Sequence, residues 1–258
     1  MLKKTYFIFF AYLLLGAAFY LLFFGTKNKG QTMDELAFYS ENLPPFNYQV
    51  EGENHGLAIE MLEFILKENN SSKTVNNVEF HLWNQSYFKA ISNPNAVLFS
   101  TTRTQEREAV FKWAGPILEV HRSLFSLKKD EKRVLNILHK RMHELKVAVL
   151  DNNIDTQILL KNGVVRANVA SVPEVEKAIE MLEKGDIDAI MSNAPYFLHS
   201  VKEKRELFTL IKTLGSYYHY FAFNQQVDDR VVQNFQNAID NFKKTDKYIE
   251  HVKRISNL

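Results

Sequence analysis

From residue 36 onward the apolar residues follow two alternating patterns: short runs suited to strands, and steps of three and four suited to helices. "LAFYS" (36–40) predicts a buried strand. "GLAIEMLEFILKENN" (56–70) predicts a helix, with Leu57, Met61 and Ile65 in one line and Ala58, Leu62 and Leu66 beside it. "VEFHLW" (78–83) and "AVLFST" (96–101) predict two more strands, separated by a short helix that Asn84 is placed to cap. A helix is expected around 134–145, then a strand "KVAVL" (146–150) and a helix over 156–162 closed by Gly163. "VVRANV" (164–169) predicts a strand leading to a helix with Val172, Val175, Ala178, Ile179 and Leu182 on one face. "IDAIMS" (187–192) predicts another, with a helix over 195–201 after it, and "LFTLIK" and "YYHYFAF" follow late in the chain. Two amphipathic helices close it, one through Val231, Phe235, Ala238 and Phe242, the other through Tyr248, Val252 and Ile255.

Strands alternating with helices predict parallel α/β sheets. The pattern restarts near Lys146 with a new βαβαβ run, which predicts two lobes rather than one sheet. The connecting "GPILEVHRSLF" (115–125) reads as an extended crossover.

The N-terminus follows a different pattern. Lys3 and Lys4 precede "TYFIFFAYLLLGAAFYLLFF" (5–24), twenty residues without a charge. As a helix this run would be about 30 Å long, matching the hydrocarbon core of a bilayer. An uncleaved anchor is the favoured reading, with the N-terminus inside and the bulk of the chain outside. Cleavage after Ala18, releasing a periplasmic protein, is the alternative. A polar linker occupies 25–33. With 46% apolar residues and a net charge of +2, the remainder is globular, and it lacks the basic stripe of a nucleic-acid binder. The chain contains no cysteine, so disulfides and thiolate metal sites are excluded.

Few signatures of covalent chemistry are present. The nine glycines form neither a dinucleotide-binding nor a P-loop pattern, and G-x-S-x-G is absent. His139 and His143 stand four apart, but zinc needs three or four protein ligands and "HKRMHE" adds two cations, so a solvated helix face is expected there. "FSTTRTQEREAVFKWAGPI" (99–117) is more informative. A strand ending in Ser100, Thr101 and Thr102 and turning into a helix near Thr104 offers hydroxyls and backbone N–H groups to an anion. An arginine there can hold a carboxylate through two parallel hydrogen bonds. The competing reading pairs Arg107 with Glu106, Glu108 or solvent, and Arg103 is a further candidate cation.

"LAFYSENLPPFNY" followed by "GLAIEMLEFILKE", "VLFSTTRTQEREAVFKWAGPI", "IEMLEKGDIDAIMSN" and "YYHYFAFN" together resemble one family, from about Leu36 onward. It is the bacterial extracytoplasmic solute-binding proteins of type II periplasmic-binding-protein fold, family 3, which serve polar amino-acid ABC transporters. The resemblance implies two α/β lobes joined by two crossover strands, lobe one spanning 34–118 and 219–258 and lobe two 119–218. It implies that Arg107, on the arginine of Thr-x-x-Arg, grips a ligand carboxylate. Thr102 falls on the hydroxyl contact and Ser100 on the strand-end backbone contact. Where the family carries an aspartate for the ligand ammonium, this chain has Asn193, an uncharged amide; Glu41 is the group that would compensate. Asn193 can also be read as the cap of the following helix. The second-lobe loop is "LDNNIDTQ", in which Asn153 and Thr156 offer donors while Asp151 and Asp155 would repel an anion. Trp83 and Phe46 are candidate cleft walls, or core.

The expectation is therefore a membrane-tethered, monomeric binding protein that performs no covalent chemistry and needs no cofactor or metal. It would capture a small carboxylate-bearing, amino-acid-like ligand for an ABC permease or a membrane sensor. The alternatives are a sensing module without a transporter, or a dehydratase-like enzyme on the same fold, to be suspected where a cleft carboxylate has a raised pKa.

Overall fold

The computed structural model describes residues 30–151 and 154–256. The anchor expected over 5–24 lies outside the described residues. Among those described, no helix is long and apolar enough to cross a membrane.

The first half begins with β1 (Ala37–Ser40), a small hairpin of β2 (Tyr48–Val50) and β3 (Glu53–His55), and helix α1 (Leu57–Glu68). β4 (Val78–Phe80), α2 (Trp83–Ser92), β5 (Ala96–Thr102) and the single-turn α3 (Gln105–Glu108) follow. β1 runs parallel to β4 on one side and to β5 on the other. Helix α1 starts at Gly56, whose φ is +108°; a Cβ there would meet the Phe46 carbonyl oxygen at 2.4 Å, so only glycine fits. From that start α1 buries Leu57, Ala58, Met61, Leu62, Ile65 and Leu66, the stripe its spacing predicts.

The long strand β6 (Phe111–Leu127) carries the chain into the second half. There α4 (Glu131–Lys140), β7 (Val147–Leu150), α5 (Asp155–Lys161), β8 (Val169–Val172), α6 (Val175–Lys184), β9 (Ala189–Asn193) and α7 (Ala194–Ser200) form the second parallel run. The equally long β10 (Phe208–Asn224) returns to the first half, and α8 (Asp229–Phe242) and α9 (Asp246–Ser256) pack there. Among the described residues all strands except β2 and β3 form one sheet, in the order β4-β1-β5-β10-β6-β9-β7-β8, which corrects the expectation of separate sheets: β6 and β10 are long enough to run through both halves and join their strands.

The antiparallel β6–β10 ladder has two ends with different neighbours. At one, Phe221–Asn224 of β10 face Phe111–Ala114 of β6, and β10 pairs with β5. At the other, Arg122–Phe125 of β6 pair with β9. The waist between them runs from Leu118 to Arg122 and from Gly215 to His219. Each half has its own apolar core: Phe38, Leu62, Phe221, Phe235 and their neighbours in the first, Leu124, Val147 and Leu159 on one face of the second, and Phe125, Leu182 and Phe197 on its other face.

Several local expectations are corrected. Trp83 opens α2 instead of ending a strand, because the chain turns at Leu82, whose carbonyl accepts from Gln85 and Ser86 N–H. Asn84 therefore sits inside the helix rather than capping it. Residues 164–168 are not strand. Val164 is buried by folding back on the end of α5, with its N–H bonded to Leu159 O, and Arg166–Asn168 form a 3-10 turn before β8. Val172 accordingly belongs to β8. The helix around 134–145 ends at Lys140, and His143 lies on a separate 3-10 turn, so the histidine pair shares no helix. Among the described residues no group of three histidines, cysteines or carboxylates is placed to hold a metal. "LFTLIK" and "YYHYFAF" are two ends of one strand, β10.

Candidate functional site

A cavity of about 750 Å³ opens between the two halves at the waist. Glu41, Trp83, Ser100, Thr102, Arg107 and Asn193, the six candidates drawn from the sequence, all line it. Phe46 does not: it is fully buried core, edge-on to the His219 ring at 5.1 Å. Asp151 lines the cavity, whereas Thr156 is not among the lining residues and Asn153 lies outside the described residues.

The first wall is built at the end of β5. There β10 advances from Tyr220 to Ala222 while β5 advances from Thr101 to Leu98, so β5 carries one extra residue. Ser100 sits in this bulge with φ at +55°, a conformation that a non-glycine residue adopts only when its surroundings hold it. Its hydroxyl donates to Asn47 Oδ1, and Asn47 Nδ2 donates to Ser40 Oγ (2.9 Å) and to the Glu41 carbonyl (2.7 Å). The Ser100 hydroxyl is thus committed internally, leaving its backbone to the cavity.

The two arginines of the "TTRTQER" stretch separate cleanly. Arg103 is exposed and forms a two-pronged ion pair with Glu108, at 2.6 and 2.9 Å, over the rings of Trp113 and Tyr220. That leaves Arg107 without Glu108. Arg107 is half-buried, its guanidinium 5.0 Å from the Trp83 ring and 5.4 Å from the Tyr87 ring, and Nη1 donates to the Thr102 carbonyl (2.8 Å). Burial holds its pKa below the ordinary guanidinium value, with the Tyr87 hydroxyl opposing and Arg122 adding to the depression. The group stays charged regardless. Helix α3 is only one turn long, so the helix-start field expected near Thr104 is small; the guanidinium supplies the positive charge instead.

The root of the cavity holds residues that the sequence did not single out. Arg122, on β6, is 5% exposed and reaches both halves: Nη2 to Thr102 Oγ1 at 3.3 Å and Nη1 to Asp155 Oδ2 at 3.5 Å. Asp155 is fully buried behind Arg122 and compensates it, so it does not act as the repelling anion expected of it. Its burial raises its pKa and Arg122 partly offsets this. His219, on β10 opposite Thr102, is 1% exposed, with both ring nitrogens unpartnered. Burial, reinforced by Arg122 and Arg107, pushes its pKa down to about 3, so the ring is neutral at physiological pH. Asn193 caps no helix with its side chain, and both its amide atoms lack partners. Glu41 is half-buried at the same place, and desolvation raises its pKa to about 7 against the pull of Arg122 and Arg107.

Both omissions carried a trace in the sequence. Arg122 stands between Val120 and Leu124, and His219 two before Phe221, each the polar member of an apolar stripe along one strand face. A polar residue in such a stripe is buried by its neighbours and needs a reason to be there.

No known family profile matches the chain, and no curated protein sequence matches it. Solved structures do. A histidine kinase sensor domain with similarity to periplasmic binding proteins superposes with a TM-score of 0.70 at 17% identity, over 88% of this chain and 97% of its own. The arginine-, lysine-, histidine-binding protein ArtJ from Geobacillus stearothermophilus gives 0.70 at 16%, over 86% and 96%. This chain has the type II periplasmic-binding-protein fold. An ancestral amino-acid-binding protein, a precursor of cyclohexadienyl dehydratase, shares that fold at a TM-score of 0.70 and 15% identity, over 85% and 94%. Within the periplasmic-binding-protein fold the cavity lies at the waist, where the two long strands cross from one half to the other.

Proposed function

We propose that this protein is an extracytoplasmic binding module. It captures a small carboxylate-bearing, amino-acid-like ligand between two lobes, 34–118 with 219–258 and 119–218, which close on it about the β6–β10 waist. Arg107 clamps the carboxylate. The observation that carries this reading is the placement of Arg107: packed over two adjacent rings, tied at one nitrogen to Thr102, and lining a cavity lined from both halves. The hydroxyl of Thr102 already accepts from Arg122, which leaves its proton free to join the clamp.

The apolar run at 5–24 would tether the module, and similarity to a sensor domain as well as to an amino acid ABC transporter substrate-binding protein leaves a sensor or an ABC permease as its membrane partner. A second reading, a dehydratase-like enzyme, draws on Glu41: a cleft carboxyl raised to about 7 is suited to general acid–base work. Turnover of a bound ligand separates the two.

A thermal-shift screen of amino acids, other carboxylates, peptides and amines tests the main reading. A ligand at a hundred times its Kd stabilises the fold by about 2.7 kcal/mol. If amines and uncharged solutes bind while no carboxylate does, Arg107 is not a clamp. Retention of the full chain in membranes through an alkaline wash tests the tether, and a mature protein beginning at Phe19 would exclude it.

A further inference from the structure

Six buried polar side-chain atoms without a hydrogen-bond partner sit on four residues at the root of the cavity: Arg122 Nε, Asp155 Oδ1, both amide atoms of Asn193 and both ring nitrogens of His219. Folded proteins leave few such atoms, and a cluster of them beside a cavity marks where something else completes the hydrogen bonding. Arg107 is the cation here with no salt-bridge partner among the described residues, since Arg122 has Asp155. Arg107 and Arg122 converge on Thr102, while Asn193 and His219 are uncharged and Asp155 is spent on Arg122. Glu41 is the acid beside them. The cavity's mouth has the opposite sign: Asp151, following β7, and Glu174 and Glu176, at the start of α6, all line it and are exposed.

Accepting the Arg107 clamp, we propose that the site selects carboxylates whose cation is at the far end of the molecule, ω-amino or ω-guanidino acids, over α-amino acids. The carboxylate sits at the cationic root, and the terminal cation reaches the acidic mouth. An ammonium on the carbon next to the carboxylate would meet the two guanidiniums and the uncharged Asn193 and His219 with one acid, Glu41, beside it, a smaller return for its lost water than the three carboxylates of the mouth give. Asn193 and His219 can each both donate and accept, which suits an uncharged or hydrated α-carbon end.

Two matched pairs test this by isothermal titration on the full chain: 6-aminohexanoate against L-lysine, and 5-guanidinopentanoate against L-arginine. We expect the member without the α-amine to bind at least about tenfold tighter in each pair. Asn193→Asp should narrow that gap by favouring the α-ammonium, and Glu174→Gln with Glu176→Gln should weaken 6-aminohexanoate but not hexanoate. Equal or tighter binding of lysine and arginine overturns the proposal, as does failure of both ω-substituted acids to bind. The carboxylate clamp is judged separately: if the selectivity is overturned but lysine, arginine or hexanoate binds and Arg107→Ala abolishes that binding, the clamp still stands.

Discussion

Two buried polar clusters flank the cavity, and they are built differently. Around Ser40, Asn47 and Ser100 every hydrogen bond is made within the first half: the Ser100 hydroxyl to Asn47, the Asn47 amide to Ser40 and to the Glu41 carbonyl, and the Ser86 hydroxyl to the Ser40 carbonyl at 2.8 Å. Around Arg122, Asn193 and His219 the bonds are few, and the residues come from three different strands, β6, β9 and β10. A satisfied network in a low-dielectric interior is stiff and specifies one arrangement, whereas an unsatisfied one is costly until a partner arrives. The first cluster therefore serves as a fixed wall, shaped before any ligand enters, and the second as the part of the site that a ligand completes.

The sharpest test of that contrast is Arg107, which is held by the fixed wall but faces the open root. Arg107→Ala should cost about 3–5 kcal/mol in binding of a carboxylate, the usual loss for one partner of a buried charge pair, and Arg107→Lys should recover only part of it. Its melting temperature without ligand should change little, as read by calorimetry beside the titration. A large loss of stability would make Arg107 part of the scaffold instead.

Asn47 belongs to the wall alone. Asn47→Ala takes the Asn47 partner from the Ser100 hydroxyl and the Glu41 carbonyl, leaves the Ser40 hydroxyl only its bond to the Phe99 carbonyl, and releases the strained turn at Ser100, so denaturant unfolding should show a loss of about 2–3 kcal/mol. A loss below about 0.5 kcal/mol, the size of an ordinary surface substitution, would mean that the network does not stiffen the wall.

His219 and Glu41 give the root a pH signature. The native state refuses a proton on His219 down to about 3, whereas the unfolded chain takes one near 6.5, so this residue lowers stability as pH falls from 6.5 to 3. Glu41 acts in the opposite direction: the native state keeps its proton up to about 7, the unfolded chain loses it near 4.5, and stability falls as pH rises through that window. The two oppose each other between 4.5 and 6.5, and His219 acts without that opposition below 4.5. His219→Gln should flatten the acid limb there by about 2 kcal/mol, since one pH unit of unequal protonation is worth about 1.4 kcal/mol. Urea unfolding curves from pH 3 to 7 read this directly, and an unchanged acid limb would mean that the imidazole titrates normally.

The two clusters also differ in how far the sequence exposes them. Arg107, Thr102 and Ser100 lie within eight residues of one another, so their convergence is local, and the α/β order follows from periodicities that burial enforces, as in α1. The root is assembled by register. His219 meets Thr102 across β10 and β5, and Arg122 meets Asn193 across β6 and β9, pairings fixed by the sheet as a whole. The misread start of α2 has a similar cause: "VEFHLW" carries strand-forming residues, but Leu82 O accepts two helical N–H bonds, and the turn delivers Trp83 to Arg107.

The smallest effect expected is at Arg103, four residues from Arg107. Its pair with Glu108 has good two-pronged geometry, but both side chains are more than 40% exposed, at 42% and 44%, and exposed pairs are worth about 0–1 kcal/mol. The guanidinium also covers the Trp113 and Tyr220 rings, a contact of the same modest size at an exposed site. It does not line the cavity, so its removal leaves the clamp in place. One indirect route exists: without Arg103, Glu108 is free to turn toward Arg107 and compete with a carboxylate for it. Arg103→Ala should therefore lower stability by under about 1 kcal/mol, with any loss of affinity recovered in Arg103→Ala/Glu108→Gln. If the double variant binds as poorly as Arg103→Ala, or the single one as poorly as Arg107→Ala, Arg103 acts on the ligand itself and the division between the two arginines is wrong.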